Sequence, residues 1–413
     1  MNNSARSLRV RGLTVLPWLV SLAILLILPE FVHSESAFTI MNLMAINVVF
    51  ALSYNMLLGQ SGLLSFGQAV FFGFGGYAAV HAMNAIGGTA GFWTHFPVVG
   101  LPLVGFVTGG IAAAIVGWPF VRNAGLAFAM ITLGLGVLVD TVAQSLQPFF
   151  GGIAGVFSDR TVGPVWFGLK LDHASDVFWF MVFWVFVATI AMWAFTRTPL
   201  GRMCNAVRDN AERVRFLGYR PHTIRFLVFV ASGAFAGLAG GMSAVNFEVV
   251  TPSALGLTPS GLVLMMVAVG GAGVFYGPIV GAIIVTFMNS ALTNYTRASV
   301  LYLGLVFLAV VMFAPSGLSG GVEQVRSAWS RGTLRQSLPV WLGRFAKSLL
   351  FTCGLVTLVE LVYQLRHGQD TLAKSAGISF DPHAPWGWIA ALALFAAAYG
   401  AHRLARKYLE VRE

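Results

Sequence analysis

The chain has 413 residues, of which 57% are hydrophobic and only 10% are charged, and its formal net charge is +10. Soluble domains carry about 25% charged residues, so this composition excludes a set of soluble domains and indicates a polytopic membrane protein. Because the basic residues lie in short blocks between apolar runs, the positive charge does not indicate nucleic-acid binding. The two cysteines, Cys204 and Cys353, have unlike neighbourhoods and are predicted to be unrelated free thiols.

The apolar runs predict an all-α fold of about twelve transmembrane helices, because each run has roughly the 20 residues that cross a bilayer. The runs lie near residues 13–33, 37–59, 63–85, 99–121, 124–146, 177–195, 225–246, 257–273, 277–293, 299–315, 347–364 and 386–403. The first run also fits a signal peptide, although it has no clear cleavage site. The interval 257–293 fits either two full spans or two discontinuous helices that turn back within the membrane.

The distribution of lysine and arginine predicts which side of the membrane each connection faces. If the N-terminus is inside, 20 of the 25 basic residues fall in inside segments. The five outside are Arg160, Lys170, Arg297, Arg366 and Lys374. This positive-inside bias predicts that both termini and the arginine-rich connection at 197–225 are cytoplasmic.

The stretch RTPLGRMCNAVRDNAERVRFLGYR, residues 197–220, interrupts the apolar runs with six arginines. Pro199 near its beginning and Gly218 near its end predict the bounds of one short helix. Apolar side chains recur every three or four residues and form one face of that helix; they are Met203, Val207, Ala211, Val214 and Leu217.

The charges of this stretch leave two interpretations open. Arg208 with Glu212, and Asp209 with Arg213, are opposite charges at i,i+4 spacing and support a helix. A basic amphipathic helix is typical of an anchor on anionic lipid headgroups. The acids and asparagines on the polar face equally indicate a docking helix for a soluble partner.

Small and polar residues at membrane depth are candidates for lining a translocation path. They are Ser65, Gln68, Tyr77, Asp140, Gly270 and Gly271. Close helix packing explains the glycines equally well, including the G-x-x-x-G steps through Gly237 and Gly277. Asp140 is the one acid well inside an apolar run. It is either a functional residue, or it points to the outer interface or pairs with a hydroxyl or amide.

Motifs of covalent chemistry are absent from the sequence. It has no Walker A pattern, no H-E-x-x-H or similar histidine spacing and no nucleophile elbow. The sequence therefore predicts no catalytic residue, no metal site and no ATPase site in this chain.

Three stretches together resemble the branched-chain amino-acid type permease subunits of bacterial ABC importers. SFGQAVFFGFGGY at 65–77 is similar to part of the family pattern G-Q-x-S-x-G-[HQ]-A-x-F-x-G-x-G-A-Y, with Gln68 where His is frequent. PLGR, AVRDN and LG within 199–218 are similar to P-x-G-R-x-x-x-A-[IV]-R-[DE]-N-E-x-x-A-x-x-L-G, although Ala211 occupies the usual Glu and Val214 a usual small residue. GGAGVFYGPIVGA at 270–282 completes the resemblance, and LAFAMITLGLG with GGIAG within 126–155 adds to it.

The resemblance implies that residues 196–224 form a coupling loop whose helix sits in a groove of an ATPase subunit. In such importers, closure of the ATPases moves this helix and switches the membrane subunits between outward and inward access. The apolar face would fill the groove, and charge-assisted bonds would fix its register. The implied coupling residues are Arg202, Val207, Arg208, Asp209, Asn210, Glu212 and Gly218.

The resemblance also implies an organisation and a set of partners. Residues 1–36 would be an N-terminal segment with the first span, 37–320 the permease core, and 321–413 an extension with two further spans. The implied partners are a second homologous permease subunit, two ATPase subunits, a periplasmic solute-binding protein and membrane lipid. ATP would be bound by the partner subunits, so this chain would hold no cofactor, and it would lie in the bacterial inner membrane.

The implied function is uptake of a small polar solute, branched-chain amino acids first, with urea, short amides and aromatic acids as alternatives. An ion-coupled secondary transporter is the first rival, but that class places several ionisable residues at midplane depth. Here only Asp140 qualifies, with Glu360 as a weaker candidate near the end of a predicted span. The second rival is a membrane scaffold whose basic loop binds lipid or a soluble regulator without transport.

Overall fold

The structure is a computed structural model that describes residues 34–88, 96–162, 164, 171–295, 299–313 and 316–321. Isolated described residues lie at 29, 350, 354–355, 357–358, 388–389, 392–393 and 396–397. The predicted spans at 13–33, 347–364 and 386–403 lie outside the continuously described residues, as does nearly all of the predicted 321–413 extension.

Helices make up almost all of the described chain. The α-helices are α1 (Glu35–Asn55), α2 (Gln68–Ile86), α3 (Leu101–Phe120), α4 (Leu126–Ser145), α5 (Gln147–Phe150), α6 (Ala174–Arg197), α7 (Pro199–Asp209), α8 (Ala211–Phe216), α9 (Pro221–Phe247), α10 (Leu257–Gly270), α11 (Gly277–Tyr295) and α12 (Ser299–Phe313). A π-helical turn, Met56–Gln60, extends α1, and 3₁₀ turns lie at Val98–Gly100, Gly152–Ala154 and Pro252–Leu255. Two short strands, β1 (Val156–Phe157) and β2 (Val249–Val250), pair antiparallel, which the sequence analysis did not predict.

Seven helices of the described part are long and apolar enough to cross a membrane. They are Glu35–Gln60, Gln68–Ile86, Val98–Phe120, Leu126–Ser145, Ala174–Arg197, Pro221–Phe247 and Ser299–Gly321. Together with the shorter α10 and α11, they coincide with the nine predicted runs from 37–59 to 299–315. The helical polytopic membrane fold is therefore confirmed, while the total of twelve spans stays a prediction.

The most closely packed helix of the described bundle is α9, which contacts both α2 and α3, and these two also pack against each other. A Cβ on Gly237 would overlap the backbone carbonyl oxygen of Gly105 on α3, and a Cβ on Gly240 would overlap that of Phe72 on α2. Absence of these side chains lets the three backbones touch, as small residues do at membrane helix interfaces. Close packing therefore explains the glycine steps of α9.

The interval 257–293 forms two helices joined by residues 271–276, a connection that we call the glycine turn. The 14 residues of α10 extend about 21 Å, which is less than the ~30 Å of a hydrocarbon core. Gly270 lies against Gly277 and Gly281 of α11, so the two helices pack closely where they meet. Gly271 has φ +99°, which favours glycine because other side chains rarely adopt this conformation.

The bundle has two distinct ends. At the first, which we call the arginine end, His222 at the beginning of α9 is hydrogen-bonded through Nε2 to the carbonyl of Trp118 at 3.1 Å. At the second, the hairpin end, Asn84 donates from Nδ2 to the carbonyl of Phe157 at 3.0 Å. The Arg160 backbone N–H donates to Glu248 Oε1 at 3.0 Å, which fastens the loop after β1 to the end of α9. The arginine-rich connection and the β1–β2 pair therefore lie at opposite ends of the spans.

Candidate functional site

The arginine-rich connection forms two helices instead of the single helix that the sequence predicted. Thr198 caps α7 by accepting from the Gly201 N–H at 3.2 Å, with Pro199 in the first turn as expected. The helix ends at Asp209, because Asn210 is extended at φ −158° and ψ 102°. The Oδ1 atom of Asn210 accepts from the Arg213 N–H at 2.9 Å, so Asn210 caps the beginning of α8. Asparagine is among the best N-cap residues, and here its local hydrogen bond outweighs continuation of the helix.

The predicted i,i+4 charge pairs are therefore not formed. The break at Asn210 separates Arg208 from Glu212 and Asp209 from Arg213, and neither pair is an ion pair in the described structure. Arg208 Nε instead lies 3.3 Å from Asp209 Oδ1, and its Nη1 donates to the backbone carbonyl of Gly59.

The predicted apolar face packs largely against this chain itself. Val207 is 2% exposed and Val214 is 1% exposed, and both belong to the hydrophobic core. The resemblance implied that this face would fill a partner's groove, and such a contact does not fit the burial of these two valines. Val207 is thus placed where it holds α7 on the bundle, and its role in coupling stays a prediction.

A second apolar surface is exposed at the end of α8, which we call the apolar tip. It consists of Phe216, Leu217 and Tyr219, whose exposed fractions are 91%, 66% and 54%. Gly218 lies between them at φ +84°, which matches its predicted place as a helix stop. Sequence reasoning missed Phe216 and Tyr219, because neither falls on the three- to four-residue spacing of the predicted face.

The remaining predicted coupling residues lie along α7 and at the beginning of α8. They are exposed to solvent: Arg202, Arg208, Asp209, Asn210 and Glu212. The structure therefore brings the predicted coupling residues together on one connection at the arginine end. The tip is apolar and exposed, and its sequence neighbours Arg215 and Arg220 are exposed and charged, which is the composition of a protein-docking surface.

Cys204 is the one described cysteine, and it is a free thiol on the buried side of α7. Its Sγ donates to the carbonyl of Leu200 at 2.9 Å, and burial raises the pKa of the thiol to about 12. The predicted free thiol is thus confirmed for Cys204, while Cys353 lies outside the described residues.

We expect Cys204 to be nearly inert toward iodoacetamide in the folded protein. Only the thiolate reacts, so a pKa raised from 9.0 to about 12 lowers the rate near pH 8 by about a thousandfold. Because the folded-state pKa is raised, the thiol stays protonated below pH 9 and ionises only as the pH rises toward 12. Mass spectrometry of a Cys353→Ser chain, labelled before and after unfolding in detergent, measures this; equal rates would contradict it.

The polar path candidates of the Gly59–Val80 stretch lie in the interior. Gln68 is fully buried, and its Nε2 donates to Ser232 Oγ on α9 at 2.9 Å, while its Oε1 has no protein partner. Ser65 is also fully buried and accepts from the Gly67 N–H at 3.3 Å. Tyr77 donates from its hydroxyl to the carbonyl of Phe150 at 3.2 Å, which holds the loop after α5. Gln68 and Tyr77 thus join helices to one another, Ser65 bonds locally, and the roles of all three in a path stay predictions.

Asp140 differs from these candidates, because it lies on a partly exposed face of α4. Its Oδ1 accepts from Gln144 Nε2 at 3.0 Å, which is pairing with an amide on the same helix. The exposed face of α4 also carries Thr141 and Ser145, whereas the residues that α3 exposes between 103 and 115 are all apolar. The exposed face of α4 is therefore more polar than the exposed face of α3.

Gly270 and Gly271 adjoin a cavity of about 350 Å³ at the arginine end. Arg208, Gly59, Ala272 and Gly273 line it, whereas Gly270 itself packs against α11 and Gly271 faces Ser316 and Ser319. The described residues contain no group of three or more His, Cys, Asp or Glu that could hold a metal ion. The absence of a metal site stays an expectation for the whole chain.

Comparison with known proteins decides the family. Residues 36–315 match the family described as branched-chain amino acid transport system / permease component. The chain belongs to this family. Membership covers the described helices α1 to α12 and confirms the resemblance found in the motifs.

Individual relatives agree with this permease family. The chain is 28% identical to the high-affinity branched-chain amino acid transport system permease protein LivM of Escherichia coli K12, over 73% of this chain and 74% of LivM. It is 23% identical to LivH of the same strain, over 66% of this chain and 91% of LivH. The autoinducer 2 import system permease protein LsrC of Photorhabdus laumondii is 30% identical over 37% of this chain and 46% of LsrC. No solved structure matches the chain.

Proposed function

We propose that this permease is the membrane subunit of an ATP-driven importer, coupled to separate ATPase subunits through α7, α8 and the apolar tip. The observation that carries the proposal is the tip itself, which exposes an aromatic and aliphatic surface on a charged connection. Aromatic residues at the centre of a polar rim are the usual anchors of protein interfaces. The family match and the named permease relatives support the same role.

The proposal includes an orientation and a set of partners. The arginine end would face the cytoplasm, following the positive-inside bias, in the inner membrane of a bacterium. A second homologous permease subunit, two ATPase subunits and a periplasmic solute-binding protein would complete the importer. The partner ATPases would bind ATP, so this chain would need no cofactor and no ATPase site. The division into 1–36, 37–320 and 321–413, and the total of twelve spans, belong to the same proposal.

For the solute, we propose branched-chain amino acids first, because LivM and LivH are named for them and match 73% and 66% of this chain. The similarity to LsrC is a reason to keep other small polar solutes, including urea, short amides and aromatic acids. The partly exposed face of α4 with Asp140 and Gln144 is the proposed wall of the path, since polar groups there can replace water around a polar solute.

Uptake under separate energy sources tests the proposal against the ion-coupled alternative. Cells that express the chain with its neighbouring transport subunits are given radiolabelled leucine, isoleucine or urea. Uptake by the importer is expected to persist when ionophores collapse the ion gradients and to stop when ATP is depleted. Uptake that follows the ion gradient, with no ATPase recovered on the tagged chain, would instead establish a secondary transporter.

A further inference from the structure

Arg208 joins the coupling connection to the membrane bundle. Its Nη1 donates to the backbone carbonyl of Gly59, in the π-helical turn that extends α1. Its aliphatic stem lies over Gly62, where a Cβ would be only 2.9 Å from Arg208 Cγ. Gly62 has φ +70°, so this position favours glycine for its backbone conformation as well as for the space it leaves.

The carbonyl that Arg208 binds lies at the C-terminal end of a helix, where the last carbonyls lack partners within the helix. The negative end of the helix dipole also favours a cation there. A guanidinium can donate to this carbonyl and to the Asp209 carboxylate together, because its N–H groups point in fixed and different directions. Lysine, with one ammonium group, cannot reproduce both contacts in the same geometry.

Gly59 also contacts the glycine turn between α10 and α11. A Cβ on Gly59 would overlap the backbone carbonyl oxygen of Ala272. Arg208, Gly59 and Ala272 therefore form a continuous chain of contacts from the coupling connection, through the end of α1, to the glycine turn. The cavity of about 350 Å³ beside them, lined also by Gly273 and Val311, leaves room for the turn to move.

We propose that Arg208 is a positioning residue of transport, which passes movement of α7 to the glycine turn through Gly59 rather than anchoring the ATPase. This inference rests on the proposed function, since the movement originates in the ATPase subunits. The resemblance implied instead that Arg208 fixes the register of the helix in the ATPase groove. The two roles differ in the effect of removing the side chain. If Arg208 is an anchor, the chain no longer binds the ATPase subunits. If Arg208 is a positioning residue, the ATPase subunits stay bound but their movement no longer reaches the glycine turn.

The test measures maleimide labelling of a Gly273→Cys chain in the complex with its ATPase subunits, in a Cys353→Ser background. Gly273 is exposed beside the cavity, whereas Cys204 is buried and protonated. Trapping the ATPases with ATP and vanadate is expected to change the labelling rate by about threefold or more. Arg208→Ala is expected to recover the same amount of ATPase but to remove this change, and Arg208→Lys to restore only part of it.

Two further variants show whether the effect comes from the contact between Arg208 and Gly62 or from the loss of one positive charge. Arg122→Ala removes an exposed arginine from the α3–α4 connection at the same end and is expected to behave as the unaltered chain. Gly62→Ala places a Cβ against the Arg208 stem and is expected to reproduce the loss of response without changing the arginine.

The outcomes separate the inference from the proposed function. Loss of ATPase from Arg208→Ala alone would make Arg208 an anchor and would overturn the inference while leaving the importer intact. A full labelling response in both Arg208→Ala and Gly62→Ala would also overturn it. If the unaltered chain recovers no ATPase, the proposed function fails, and the inference fails with it.

Discussion

Replacement of Phe216 with aspartate is expected to abolish recovery of ATPase subunits on the tagged chain and to stop ATP-driven uptake. The side chain belongs to the apolar tip and is 91% exposed, so the free chain loses little stability when it is changed. An aromatic anchor at the centre of an interface contributes about 2–4 kcal/mol to binding, which corresponds to a loss of affinity of about 30-fold or more. Affinity purification from the native membrane, followed by mass spectrometry, measures the recovery.

Phe216→Leu is the matched control, because it keeps an apolar side chain at the same position and is expected to retain most of the ATPase. The same pair of variants decides between the two interpretations that the sequence left open. A lipid anchor predicts that Phe216→Asp leaves ATPase recovery unchanged and weakens only the association of this connection with anionic vesicles. That result would remove the apolar tip from the docking surface.

Hydropathy alone located the seven described helices that are long enough to cross a membrane and the two shorter helices α10 and α11, because a membrane helix needs a long apolar run in the sequence. It could not show which face of a span is buried. Gln68 and Ser65 were predicted to line a path because they are polar residues at membrane depth, and the structure shows that both are fully buried. Asp140, chosen for the same reason, lies on a partly exposed face of α4. The difference arises from tertiary packing, which periodicity within one helix does not contain.

The coupling connection shows a second limit, which is local competition for hydrogen bonds. The charge pattern across Asn210 favoured one continuous helix, and each pair at i,i+4 contributes only about 0.2–0.5 kcal/mol. An asparagine N-cap contributes about 1 kcal/mol, so the cap of α8 outweighs the pairs. In α8, which follows the break, Val214 is buried and Phe216 is exposed. A capping pattern inside the predicted helix was the signal that could have revealed the apolar tip.

The packing of α9 supports a second prediction, which concerns the stability of the folded protein. Gly237→Ala is expected to lower the free energy of unfolding by about 1–3 kcal/mol, as overpacking of a filled interior does. The added Cβ overlaps the Gly105 carbonyl oxygen and lies 2.8 Å from the Cα of Gly109, and neither backbone atom can turn aside as a flexible side chain would. Alanine gains about 0.5–1 kcal/mol over glycine in a helix, which is too little to offset this overlap.

Gly261→Ala is the matched control, because Gly261 lies within α10 and a Cβ there meets no atom within 4 Å. That change is expected to raise stability slightly, through helix propensity alone. The temperature at which the purified protein loses its monodisperse peak in size-exclusion chromatography measures both variants under one detergent condition. If Gly237→Ala matched Gly261→Ala, the α3 and α9 backbones would not be in contact in the folded protein.

Since α9 also holds Ser232 beside Gln68 and leads directly from α8, a shift of α3 from α9 would reach the coupling connection as well. Reduced uptake by Gly237→Ala at temperatures where the protein stays folded would reveal that link.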